Sequence, residues 1–301
     1  MIDAPRHTPY DKGRFHFSLG IRELDPADWI EVDDRYSEHL AEKRRLLAER
    51  PGEVFDGLPD SVAAQRECLE HLLDHLARHH VGLVEADGAT VRAVRTGDAY
   101  NRAAFADRPL DLAGRLVQED LCLMAPAGDT WRLVAASLCF PSRWRLADKL
   151  GRRMAAIHAP VPGFNEKLAR PVDRFFSRVT PGQAYARLNW SVIDDPALFQ
   201  PTGHGRTGLN PAITADNAGA MVWLRIERQT FVALPRSGAL VFGIKTVVDP
   251  LASVARRPGL AVALRATLEG MPDDMRRYKS MAPFWEALGG WLDRAARFGG
   301  G

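Results

Sequence analysis

Apolar residues recur every three to four positions across residues 37–50 and 60–80, a spacing that predicts two amphipathic helices near the start of the chain. In the second, Val62, Leu69, Leu72, Leu73 and Leu76 fall on one face, and Asp60 and Ser61 stand where caps belong. Alternation takes over near residue 120. EDLCLMA and TWRLVAASLCF flank Pro126, Ala127, Gly128 and Asp129, which predicts a two-stranded hairpin. RLADKLGRRMAAI then predicts a helix ending near Ile157, HAPVPG an extended segment stiffened by its prolines, and FNEKLARPVDRFFSRV a helix broken or kinked at Pro171. QAYARLNWSV, AMVWLRIERQTF and ALVFGIKTVV read as three further strands, the last two joined by LPRSG. Leu260, Leu264 and Leu268, then Phe284, Trp285, Leu288 and Leu292, return to helical spacing. The pattern predicts an α+β fold, an antiparallel sheet of about five strands with helices packed at both chain ends.

Composition narrows the class. At 301 residues, 46% hydrophobic and 26% charged, the chain has material for one large core. The expected organisation is a single domain over residues 15–296, with an N-terminal tail at 1–14 and a flexible C-terminal tail at 297–301. A net charge of +2 gives no electrostatic reason for nucleic acid or an anionic membrane as partner. Cys68, Cys122 and Cys139 show no CxxC spacing, which argues against a disulfide framework or a zinc site. Without an apolar targeting segment or a run of about 20 apolar residues, the expected location is cytoplasmic.

The strands carry the first chemical signal. Side chains alternate, so Tyr185, Arg187 and Asn189 share one face, as do Arg225, Glu227 and Gln229 on the next strand, while Lys245 lies among Val241, Gly243 and Val247. Such alternation equally marks a wet sheet face, where ion pairs contribute little. The density of Arg225, Glu227, Arg228 and Gln229, and Trp190 directly after Asn189, turns the reading toward a pocket wall. A carboxylate such as Glu227 between arginines suits a cationic amine or an ordered water, and Arg187 or Arg225 suits an acidic group.

His158 is the second signal, directly after a predicted helix and before Ala159, Pro160, Val161, Pro162 and Gly163. A stiff neighbour suits a metal-ligating imidazole, and a histidine ending a helix also commonly meets the last carbonyls. His71, His75 and His79 recur at i, i+4 but face away from the leucine stripe, which predicts a solvated face and no metal site. Cys139 reads as a small core residue. No GxSxG, GxxxxGK[ST] or GxGxxG motif occurs, so no Rossmann site for NAD(P)H is expected on this chain.

FPSRWRLADKLGRRMAAIHAPVPG, RLNWSVIDDPALFQP and LRIERQTFVALPRSGALVFGIKT occur in the order of the signature blocks of the haem-dependent oxidative N-demethylase alpha-subunit family. LDPADWIEVDDRYSEHLAEKRRLLAER is similar to that family's start, and the chain resembles the family over most of its length. The resemblance implies a PAS-like fold holding haem b and O2-dependent oxidation of a small secondary amine such as dimethylamine, with release of formaldehyde. Electrons are then expected from NADPH through FMN and 2Fe–2S centres on separate reductase subunits. It also implies His158 as the haem-iron ligand, Arg187, Asn189, Trp190 and Gln229 as cofactor-binding residues, and Glu227 and Arg225 as catalytic residues. Within that set Glu227 would meet the protonated amine and the arginines the haem propionates. A non-catalytic PAS-like haem or small-ligand sensor or scaffold, and a member that has lost haem, are the alternatives.

Overall fold

A computed structural model of the chain describes residues 3–298, so residues 299–301 of the expected C-terminal tail lie outside the described residues. Among the described residues ten strands form two sheets, antiparallel at every pairing. They are β1 Arg22–Leu24, β2 Phe55–Gly57, β3 Val84–Ala86, β4 Thr90–Ala93, β5 Asp98–Asn101, β6 Asp120–Ala127, β7 Thr130–Ser137, β8 Ala184–Ile193, β9 Trp223–Ala233 and β10 Leu240–Pro250. The large sheet runs β1-β8-β9-β10-β6-β7-β2 and the small one β3-β4-β5. The five expected strands are thus the centre of the large sheet, widened by two three-residue edge strands. β6 and β7 turn through Gly128 and Asp129, with Gly128 at φ +73°, the left-handed conformation that a two-residue hairpin loop requires.

Burial follows the alternation. On one face Ala184, Val232, Val241, Leu121 and Leu123 cluster with Leu69, Leu72 and Leu76 of the helix Val62–His79. Further along that face Val192, Leu224 and Ile226 cluster with Leu260 and Leu264 of Leu260–Glu269 and Leu288 and Leu292 of Trp285–Phe298. A leucine buried as fully as Leu72 contributes about 2–3 kcal/mol. The opposite face carries Cys122, Met124, Phe231 and Ile244 under Met154, Phe164, Leu168 and Val172, which come from the segment between β7 and β8.

That segment departs from its sequence pattern. The expected helix over RLADKLGRRMAAI shrinks to a 3-10 turn at Leu146–Asp148 and one helical turn at Met154–Ile157. Gly151, at φ +75°, donates to the Leu133 carbonyl at 2.8 Å while Leu133 donates to Arg152 at 3.1 Å, so this backbone pairs with β7 and cannot coil. HAPVPG is likewise turned, since Val161 N–H bonds the His158 carbonyl at 2.8 Å and Phe164 N–H bonds Val161 at 3.2 Å. The next helix does break, at Leu168, and Pro171 sits in the first turn of Ala169–Phe176 where no N–H is needed. Of the expected N-terminal tail, residues 1–2 lie outside the described residues, and Tyr10 is fully buried, 5.4 Å from the Trp190 ring, with its carbonyl accepting from Thr267.

The histidine row of Val62–His79 is solvated only at its end, with His79 exposed and His71 half-buried. His75 is buried, with the Trp29 ring at 5.1 Å, because the segment around Trp29 folds over the helix. His39, also buried, lies edge-on to Phe140 at 5.4 Å, and burial lowers its pKa from 6.5 to about 4, helped by the Arg35 charge. The folded protein therefore holds His39 neutral while the unfolded chain protonates it below pH 6.5. Its contribution is present above pH 6.5 and is lost at about 1.4 kcal/mol per unit as pH falls toward 4. Thermal unfolding between pH 7 and pH 4.5 is expected to show a shallower decline in a His39→Asn variant than in the parent; parallel slopes would rule the mechanism out.

Candidate functional site

The register of β8, β9 and β10 assembles the site. Arg187 lies beside Gln229, Asn189 beside Glu227, Ser191 beside Arg225, and Thr246 flanks Glu227 from the other side. Cross-strand partners project to the same face, so these groups form one polar patch in an otherwise apolar layer. It is not a wet face: Glu227 is 8% exposed, Gln229 9% and Arg225 1%.

Glu227 accepts from the Asn189 amide at 3.1 Å and the Gln229 amide at 2.8 Å. Both bonds end on Oε2, and Oε1 remains open to another donor. Arg187 contributes a cation whose buried Nε has no hydrogen-bond partner, and burial lowers its pKa although the Glu227 charge opposes the shift. Gln229 and Asn189 thus hold the carboxylate in place without neutralising it.

Arg225 does something else. Its guanidinium donates to the carbonyls of Phe140 at 2.7 Å, Leu198 at 3.2 Å, Pro141 at 3.3 Å and Ala197 at 3.3 Å, clamping two loops against the sheet. For Arg225, expected as a catalytic or propionate-binding residue, what the structure shows is this loop-holding contact, made by its two terminal nitrogens, while its Nε is buried without a partner like that of Arg187. Trp190 also leaves the expected set. It follows Asn189 directly and so points to the opposite face, toward Tyr10, and only its carbonyl reaches the site's surroundings, accepting from Lys279 at 2.7 Å. Arg228 and Lys245 share that opposite face, bound to the 28–33 segment: Arg228 donates to Trp29 O at 3.1 Å, and Lys245 meets Asp33 at 2.8 Å.

His158 ends the turn Met154–Ile157 and stacks on Phe164 at 4.2 Å. Its Nδ1 lies 3.1 Å from the Met154 carbonyl, which can only accept, so Nδ1 carries the proton and Nε2 keeps its lone pair. Burial lowers the pKa to about 4, an effect the Met154 carbonyl opposes and the charges of Lys149 and Arg187 reinforce, so the ring is neutral at pH 7. A neutral imidazole with one nitrogen tied to a carbonyl is the form that ligates iron.

Two further groups were not legible in the sequence. Tyr278 closes the helix Asp273–Tyr278 and Lys279 follows it. Burial pushes the Tyr278 phenol up to about 12, with the Glu227 charge adding, and pushes the Lys279 ammonium down to about 8. They come from a polar helix end, DDMRRYKS, that carries no strand alternation and no motif. Cys139 is buried, and its thiol is pushed up by burial, as for an inert core residue. Among the described residues no group of three or more His, Cys, Asp or Glu is arranged to hold a metal ion, and no helix is long and apolar enough to cross a membrane.

The arrangement defines an α+β protein with a proton-ordered imidazole after a short helical turn and, on one sheet face, an amide-fixed carboxylate beside a guanidinium whose Nε has no partner. Residues 20–289 match the family described as haem-dependent oxidative N-demethylase, alpha subunit-like, and the chain belongs to that family. The residues present fit haem on their own chemistry. The His158 Nε2 suits iron already ringed by porphyrin nitrogens, and the orphaned Arg187 Nε suits a propionate.

Proposed function

We propose that this chain is the haem b-binding catalytic subunit of an O2-dependent oxidative N-demethylase that acts on a small secondary amine such as dimethylamine and releases formaldehyde. The observation that carries the reading is the tautomer-fixed His158, supported by the amide-held Glu227 and the unpartnered Arg187 Nε on the sheet. Bound haem supplies the dioxygen chemistry that side chains lack.

The chain's own residues do the rest. His158 would hold the iron through Nε2, the Met154 carbonyl fixing the ring. Arg187 would balance a propionate. Glu227 Oε1 accepts from the substrate ammonium, a charge-assisted bond strengthened by exclusion of water, while Asn189 and Gln229 keep Oε2 from rotating away. Reductase subunits carrying FMN and 2Fe–2S centres would supply the electrons from NADPH, in keeping with the alpha-subunit-like description of the family. Residues 15–296 act as one cytoplasmic domain. A PAS-like classification is supported by the five long strands, which lie in the spatial order second, first, fifth, fourth, third of their chain sequence, with helical turns between the second and third.

The test is an absorption spectrum of haem-supplemented protein, oxidised and reduced, with and without dimethylamine. A histidine-type spectrum that shifts with amine is expected. Glu227→Gln is expected to retain haem and weaken the amine response about tenfold to a hundredfold, the loss of a hydrogen bond to a charged group. No Soret band in a correctly folded protein would overturn the haem assignment, and an unchanged amine response in the variant would remove Glu227 from the site.

A further inference from the structure

Two non-glycine residues with positive φ, Arg143 at +62° and Ser280 at +55°, meet at the turn after Asp273–Tyr278. Arg143 Nη1 donates to the Lys279 carbonyl at 2.7 Å. The Ser280 hydroxyl donates to Gly203 O at 2.8 Å and accepts from the Arg206 N–H at 3.1 Å. His204 stacks on Tyr278 at 4.4 Å, its Nδ1 3.0 Å from the Tyr278 carbonyl. Left-handed backbone costs a side-chain-bearing residue on the order of 1–2 kcal/mol, and these bonds hold the turn in that conformation. What the turn presents is Lys279, whose ammonium spends one of its three donors on the Trp190 carbonyl at 2.7 Å.

The groups acting on that ammonium come from every element around it. Glu227 reaches it from β9, Arg187 from β8 and Arg143 from the loop after β7, with Tyr278 and His204 flanking the turn. Arg143 has the buried Asp194 carboxylate at 4.0 Å, so Glu227 faces Arg187 and Lys279, and no direct ion pair joins Lys279 to Glu227 among the described residues. With Lys279 protonated the site is net positive before any ligand enters; with Lys279 neutral, Glu227 and Arg187 balance.

We propose that Lys279 is a specificity-determining residue of the amine site: its ammonium and the ligand cation compete for the field of Glu227, so a cationic amine binds with release of the Lys279 proton. The inference rests on the reading of Glu227 as the amine's partner. The balance is one ligand ammonium in and one proton out, the proton passing from Lys279 Nζ to solvent and leaving a neutral amine on the Trp190 carbonyl. Burial already brings Lys279 down to about 8, against the pull of Glu227 and with the help of Arg187 and Arg143, so the exchange is accessible near neutral pH.

Dimethylammonium chloride titrated calorimetrically into the haem-loaded protein, at pH 6, 7, 8 and 9 and in two buffers of different ionisation heat, reads both quantities. For the parent, affinity is expected to rise about 50-fold from pH 6 to pH 8, with close to one proton released per amine at pH 7. Lys279→Met is expected to bind at pH 6 as tightly as the parent does at pH 9, without proton release. Lys279→Arg keeps a cation at every pH and is expected to bind weakly throughout, which separates charge from shape. A pH-independent parent affinity with no proton release overturns the role of Lys279 and leaves Glu227 untouched. Absence of binding heat in all three proteins at every pH overturns the amine reading itself, and this inference with it.

Discussion

Replacing His158 by alanine is expected to strip the protein of haem while leaving it folded. The imidazole is the group whose tautomer is set from within the chain, through the Met154 carbonyl at 3.1 Å, and whose other nitrogen is left for a metal. Disturbing partners of a metal ligand commonly costs 10–100-fold in affinity, so loss of the ligand itself is expected to cost at least about 100-fold. The fold tolerates the change because the ring gives up little beyond one stack on Phe164, worth about 1 kcal/mol, at the end of a single helical turn. Haem content per protein, read beside far-UV circular dichroism, checks it. Added imidazole is expected to restore part of the Soret band by filling the vacated position. Full haem retention with an unaltered spectrum would remove His158 as the ligand.

Lys245→Met is expected to lower stability by about 3 kcal/mol, the cost of breaking a buried ion pair from one side. Lys245 is 0% exposed and donates to Asp33 at 2.8 Å, to the Glu31 carbonyl at 2.7 Å and to Gln118 at 3.3 Å, with the Glu31 carboxylate at 3.6 Å. These contacts tie the 28–33 segment to the sheet face opposite the candidate site. Burial alone would raise both carboxylates, but His7 and Lys245 bring Glu31 down to about 2, and Lys245 with Gln118 lowers Asp33. Depressed carboxylates contribute fully above their ordinary values of 4.5 and 3.8, and that contribution is lost as pH falls toward 2. Urea unfolding at pH 7 and at pH 3 is therefore expected to show a smaller acid loss in the variant than in the parent. A deficit below about 1 kcal/mol at pH 7 would mean that Gln118, His7 and Arg228 hold the segment without Lys245.

The long elements were legible because their patterns are long. β8, β9 and β10 alternate over ten or eleven residues, and Val62–His79 repeats its apolar stripe over 18. β3, β4 and β5 span only three or four residues each, too short for alternation to stand out from noise, so the small sheet was not expected. The segment 145–157 failed for a different reason: its helical pattern is real, but backbone pairing with β7 around Gly151 overrides it. Within the site, alternation put Arg187 with Asn189 and Arg225 with Glu227 and Gln229, the register of β8 and β9 brought the two sets onto one face, and the same alternation, applied one residue further, sends Trp190 to the other.

Period and polarity along the chain determined which stretches became strands or helices and which side chains shared a face, since these depend only on neighbours a few residues away. Arg187 and Arg225 look alike at that level, both strand arginines near Glu227. Tertiary structure alone separated them: the loops at 138–141 and 195–200 bring four carbonyls to the two terminal nitrogens of Arg225, while Arg187 stands beside Gln229 in the patch, and the Nε of each is left without a partner. The availability of a buried charge is set by how many donors the distant backbone has already taken, and no local pattern encodes that count.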